Sequence, residues 1–204
     1  MAKIENVDYN AIPGQAESME AFGLELNGLL ASVYSKIGDM HANWYGQRYN
    51  MLVKEFNEML PQINSLLTLV VSEIPFTLKT IANNYSQADT GSTIANAARA
   101  DITTISDISV SNDVGMRFIS SEVETVRQAV SNDFESSKEK METIQGVFDN
   151  VSWNSEAAEA FRSKFASIKS NIVSSFENIN VSFVNLMKQT EEDIQAAERA
   201  NTVQ

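Results

Sequence analysis

From Leu52 to Tyr85, apolar side chains return every three or four residues: Leu52, Phe56, Met59, Ile63, Leu67, Val70, Ile74, Leu78, Ile81 and Tyr85. The mean advance is about 3.7 residues, close to the period of an α-helix. A shorter run precedes it, through Met19, Phe22, Leu26, Leu30, Val33, Ile37 and Met40. Two further runs follow, from Val123 to Phe148 and from Phe161 to Ile194. With 8 Gly and 3 Pro the chain has few places to turn, and no strand-turn-strand rhythm is visible. The fold class is therefore all-α.

The runs repeat. Adding 109 carries Trp44 onto Trp153, Phe56 onto Phe165, Ile63 onto Ile172, Leu67 onto Phe176, Ile74 onto Phe183 and Leu78 onto Met187. A shared helical period would match some positions by itself, but it would not also align both Trp residues, which sit in breaks between runs. The chain reads as two helix-turn-helix hairpins, 1–89 and 113–204, joined by a linker at 90–112. The linker is rich in Ser, Thr, Ala, Asn and Asp, with one short helix expected at Ile94 to Ala100. A hairpin with one apolar stripe cannot bury it alone. The expected solution is two long hairpins packed antiparallel as a four-helix bundle, a single-chain pseudo-dimer. A partner-swapped homodimer is the competing assembly.

Two prolines interrupt the first half. Pro61 and Pro75 fall inside the long second helix, and each disfavours a helix interior by about 3 kcal/mol. A kink or break is expected near Ser72 to Pro75, with Ser capping a restarted helix. The run Leu66 to Val71 is apolar around most of the helix. Either the linker or the second hairpin covers it, or Leu66, Leu69 and Val71 form a contact surface.

Composition excludes several functions. With 204 residues, 15 basic and 27 acidic side chains, the formal net charge is -12, which argues against nucleic acid. Zero Cys and one His leave no thiol nucleophile, no Cys-ligated metal and no His-based triad. A di-iron bundle needs Glu-x-x-His on two helices, and the residue three before His41 is Gly38. Neither cofactor nor metal is expected, and an enzyme ranks last. Met1 to Gly14 lacks the apolar run of a signal peptide, and no stretch approaches the ~20 apolar residues of a membrane span. A soluble chain is expected, whose acidic surface disfavours membrane contact.

One motif remains. Trp44-Tyr45-Gly46 sits midway in the first hairpin, and Tyr85-Ser86-Gln87-Ala88-Asp89 closes its second helix. This arrangement resembles the Trp-X-Gly, ESAT-like family of type VII secretion substrates, fused here in tandem. The resemblance implies leaderless export of a folded, non-enzymatic protein from the cytoplasm of a Gram-positive bacterium. It implies binding to a secretion-system ATPase or a co-secreted protein, with Tyr85 and Asp89 as part of the export signal. The second half departs from the pattern: Ser155 replaces Gly46, and Ile194 and Glu198 replace Tyr85 and Asp89. In antiparallel packing, Tyr85 and Asp89 would neighbour Trp153 as one composite signal, with Trp44, Ile194 and Glu198 at the other end. Trp44 and Trp153 either plug the ends or also anchor a partner. The rival reading is an intracellular helical scaffold or adaptor for a larger effector, with structural Trp turns. A membrane-active protein that opens its hairpins is a third.

Overall fold

A computed structural model describes residues 7–110 and 112–201. Residues 1–6 and 202–204 at the ends of the expected hairpins, and Ser111 of the expected linker, lie outside it. The chain is all-α in character, with four long helices. Helix α1 spans Ile12–Asp39, and a short 3-10 turn leads to the two-residue strand β1, Trp44–Tyr45. Helices α2 (Gln47–Thr68) and α3 (Ile74–Thr90) are joined without a break by a π-helical segment, Leu69–Glu73. Strand β2 is Arg117–Phe118, α4 is Ser120–Asp149 and α5 is Glu156–Asn201.

Helix ends follow local chemistry. Pro13 lies in the first turn of α1, where its missing N–H costs nothing. Gly91 ends α3 in the left-handed conformation at φ 74°, its N–H bonded to the Gln87 carbonyl. Pro61 sits inside α2 without ending it. Near Pro75 the expected break and Ser72 cap do not form. Pro75 has no N–H to give, and the Ile74 N–H reaches back five residues to the Leu69 carbonyl, so one wide turn absorbs the defect. Ser72 is buried within this turn.

The apolar run is not a contact surface. Leu66, Leu69 and Val71 have no exposed area. The cover over Val70 and Val71 comes from α1 at Gly23: a Cβ added there would stand 2.8 Å from Val71 Cγ2 and 3.0 Å from Val70 Cγ2. By length and composition, Gln47–Thr90 is nonetheless apolar enough to cross a membrane, with a mean hydropathy of 1.4 over its best 18-residue window. That corrects the expectation that no such stretch exists. More than half of the window is buried inside the protein, as befits a core helix.

Paired residues give the course of the helices. Along α1 and α4 the partners are Lys36 with Asp133, Glu25 with Lys140, and Gln15 with Asn150. Along the long helix and α5 they are Arg48 with Asp193, Glu55 with Ser182, and Glu73 with Lys164. In both pairs one number falls as the other rises. One aromatic layer draws a ring from each of the four helices. The Tyr34 ring meets Phe56 edge-on at 5.8 Å, Phe56 stacks on Phe134 at 6.1 Å, and Phe134 stacks on Phe176 at 4.1 Å. The buried Tyr34 hydroxyl donates to the Phe56 carbonyl at 2.6 Å, so the layer carries its polar atom satisfied.

The described residues between Gly91 and Ser120 are not helical, and no helix forms at Ile94 to Ala100. The N–H groups of Ile94 and Ala95 bond instead to the Asn83 side-chain oxygen, and the Ala95 carbonyl accepts from the Asn83 amide. The backbone groups that a helix would use are taken.

Candidate functional site

At one end of the molecule the Trp44 turn is closed by the segment that leads into α4. Trp44 pairs with Phe118 and Tyr45 with Arg117 in an antiparallel ladder, and the Ile119 N–H donates to the Asn43 carbonyl at 2.9 Å. The Trp44 ring is 1% exposed, stacked on Phe183 at 6.0 Å and met edge-on by Phe118 at 5.4 Å. Gly46 holds φ 122° and ψ -173°, a combination open essentially to glycine alone. This end also carries an open cavity of about 570 Å³ bordered by Trp44, Gly46, Arg48, Met51, Met116 and Asp193. Arg48 spans it to α5, donating to Gln189 at 2.6 Å and to Asp193.

The Trp153 turn, at the other end, is closed in the same manner. Val7 bridges Trp153, and the Asp8 N–H donates to the Ser152 carbonyl at 3.2 Å. In each turn, the carbonyl just before the Trp accepts from the segment that opens the other half. Trp153 is 6% exposed. Ser155 does not copy the strained backbone of Gly46, since no described residue other than glycine has positive φ. Its hydroxyl instead accepts from the Ala158 N–H at 3.2 Å and caps α5.

Tyr85 and Asp89 lie on the last turns of α3, Tyr85 half-buried and Asp89 exposed. Asp89 accepts a short hydrogen bond from the Tyr9 hydroxyl, which holds the Tyr9 phenol neutral above its usual range. Segment Val7–Tyr9 thus ties Trp153 to Asp89, two of the three residues expected at a composite end. Val7, Tyr9 and Phe118 were missed in the sequence, and no spacing marks them. Ile194, at the Trp44 end, is half-buried, one residue after the Asp193 that holds Arg48.

His41 lies in the turn with Nε2 2.6 Å from Asp113 Oδ2, its ring against Tyr45 and Tyr49. Among the described residues no group of three or more His, Asp or Glu is placed to hold a metal ion. Tyr34 and Tyr49 are both pushed up by burial, Tyr49 to about 12 with the Asp39 carboxylate adding to the shift. Glu124 is held down at about 2 by its hydrogen bond from Arg127, a half-buried pair one turn apart on α4. The two tyrosine shifts come from burial and the Glu124 shift from ion pairing. Comparison with protein-family models, with curated proteins and with solved structures finds no match to this chain.

Proposed function

We propose that the chain is a tandem Trp-X-Gly-type protein, two helical hairpins packed antiparallel as a single-chain four-helix bundle, exported folded and acting by protein-protein binding. The observation that carries this reading is the reciprocal closure of the two Trp turns. Each half lends the segment that pairs with the other half's Trp, as two copies of one hairpin would do in a dimer. The departures also fit a fused pair. Only the first half keeps the strained glycine and the Tyr85 to Asp89 helix end, so the molecule has one composite end and one end without it. Burial of both Trp rings makes the turns structural first. Recognition then falls to what surrounds them: Tyr85, Asp89 and Tyr9 at one end, and the cavity beside Gly46 at the other.

Export from the native host tests the reading. Intact chain should reach the medium only when the secretion ATPase is present. Tyr85→Ala should block export by tenfold or more while leaving helicity and melting temperature within error, because Tyr85 is half-buried at a helix end. Chain confined to the cell pellet in both strains would discard the export reading. It would favour the adaptor, whose Trp turns are purely structural, and a cytoplasmic partner recovered by pull-down would then be expected.

A further inference from the structure

The segment from Ala100 to Val110 lies along the groove between α1 and α2 as an extended strap. Among the described residues, no backbone-to-backbone hydrogen bond joins it to the helices. Its backbone is held by asparagine side chains. The Asn64 amide donates to the Ile105 carbonyl at 2.9 Å, and its oxygen accepts from the Ile105 N–H at 3.0 Å. Asn57 does the same to Ile108, both contacts at 2.9 Å. From α1, Asn27 donates to the Thr103 carbonyl at 3.1 Å.

The registers match. Asn57 and Asn64 are seven residues apart on a helix, a rise of about 10.5 Å. Ile105 and Ile108 are three apart on an extended chain, about 9–10 Å. Ile102, half-buried, continues the same three-residue period. An amide that reads N–H and C=O together accepts any residue's backbone, whereas the aliphatic positions carry the selectivity. The strap leaves the groove partly open. A cavity of about 670 Å³ remains between it and Ala31, Tyr34, Ser35 and Gly38 of α1, reaching His41 and Tyr49. The second half has no counterpart: at the offset of 109, Asn57 and Asn64 become Ala166 and Val173.

We propose that this groove is a receptor for an extended peptide segment bearing an aliphatic side chain at every third position, and that residues 102–108 fill it in the free protein as an internal competitor. The occupant's chemistry is that of the strap seated there. Backbone amides are read by asparagine pairs, and Ile-sized side chains are spaced by three. The residual cavity is where an incoming chain begins to displace the strap. A tethered competitor acts at high effective concentration, so binding in trans is weak until the strap is loosened.

A fluorescent peptide with the sequence of residues 100–110 tests this by anisotropy on the full chain. The Ile105→Ser/Ile108→Ser chain should bind it at least tenfold more tightly than the unaltered chain does. Adding Asn57→Leu/Asn64→Leu to the same chain should remove that gain. A peptide of equal composition with Ile at every second position should bind at least tenfold more weakly. A strap-altered chain that keeps its helicity yet binds neither peptide, or both equally, overturns the proposal. If that chain loses its helicity, hydrogen exchange on the unaltered chain decides instead. Excess peptide should speed exchange of the Ile105 and Ile108 amides at least threefold, and unchanged rates overturn the proposal.

Discussion

Two glycines on one helix should respond to the same change with opposite signs. Gly23 faces the π-helical turn, and a methyl there would push against two stiff valines. Overpacking of about 1–3 kcal/mol outweighs the helix-propensity gain of about 1 kcal/mol, so Gly23→Ala should destabilise by about 1 kcal/mol. Gly28 meets nothing within 4 Å and is exposed, so Gly28→Ala should stabilise by about 0.5–1 kcal/mol. Urea titration of both variants checks the pair. Tyr49 sets an alkaline limit. An unfolded tyrosine ionises near 10, whereas burial lifts Tyr49 to about 12, with Tyr34 raised in the same direction. The folded state therefore keeps protons that the unfolded state sheds. That stability is complete below pH 10 and is lost as pH rises from 10 toward 12. Urea midpoints at pH 9 and pH 11 should show the fall, and Tyr49→Phe should flatten it.

Among the elements, the long helix from Gln47 to Thr90 shows how a helical period survives its interruptions. Pro61 is exposed and leaves the Asn57 carbonyl without its usual helical donor. Pro61→Ala should raise stability by about 1–3 kcal/mol, less than the full propensity difference because the unfolded chain is also freed. A rise in melting temperature checks this, and no rise would mean that the helix is shaped around the proline. Helix positions were legible because each apolar face repeats many times over. Phe56, Ile63, Leu67 and Ile74 lie at the predicted spacing and are buried. The turn at Pro75 was legible as a defect, but its form was not. Whether a missing N–H breaks a helix or widens it depends on what α1 presses against it, here a glycine. The strap was not legible: the composition pointed only to a linker with a short helix, and the asparagines that hold Ile105 and Ile108 lie 41 and 51 residues away on α2. The pairings at the Trp turns were not legible, because a two-residue strand pair and a single bridge carry no pattern and their partners are fixed only by packing.

For the whole molecule, the reciprocal closures predict one cooperative unit. Trp44→Ala and Trp153→Ala should each cost about 3–5 kcal/mol, since each removes a large buried ring at an end that the other half helps to build. Each variant keeps a single Trp, whose fluorescence reports on the opposite end. Fluorescence and circular dichroism should therefore give coincident urea transitions in both variants. Separate transitions would mean that the two halves fold independently.

The closures also differ in when they can form. Trp44 can meet Phe118 once little more than half of the chain has emerged from the ribosome, with the strap already available to lie down between them. Val7 has to wait for Trp153. Throughout that interval Val7 lacks its bridge to Trp153, and α1 keeps an open flank where α4 will later lie. A growing chain thus passes through a stage in which α1, α2, α3 and the strap are made and α5 is missing. Any factor that captures the protein before it is finished would meet that half-built surface rather than the closed one.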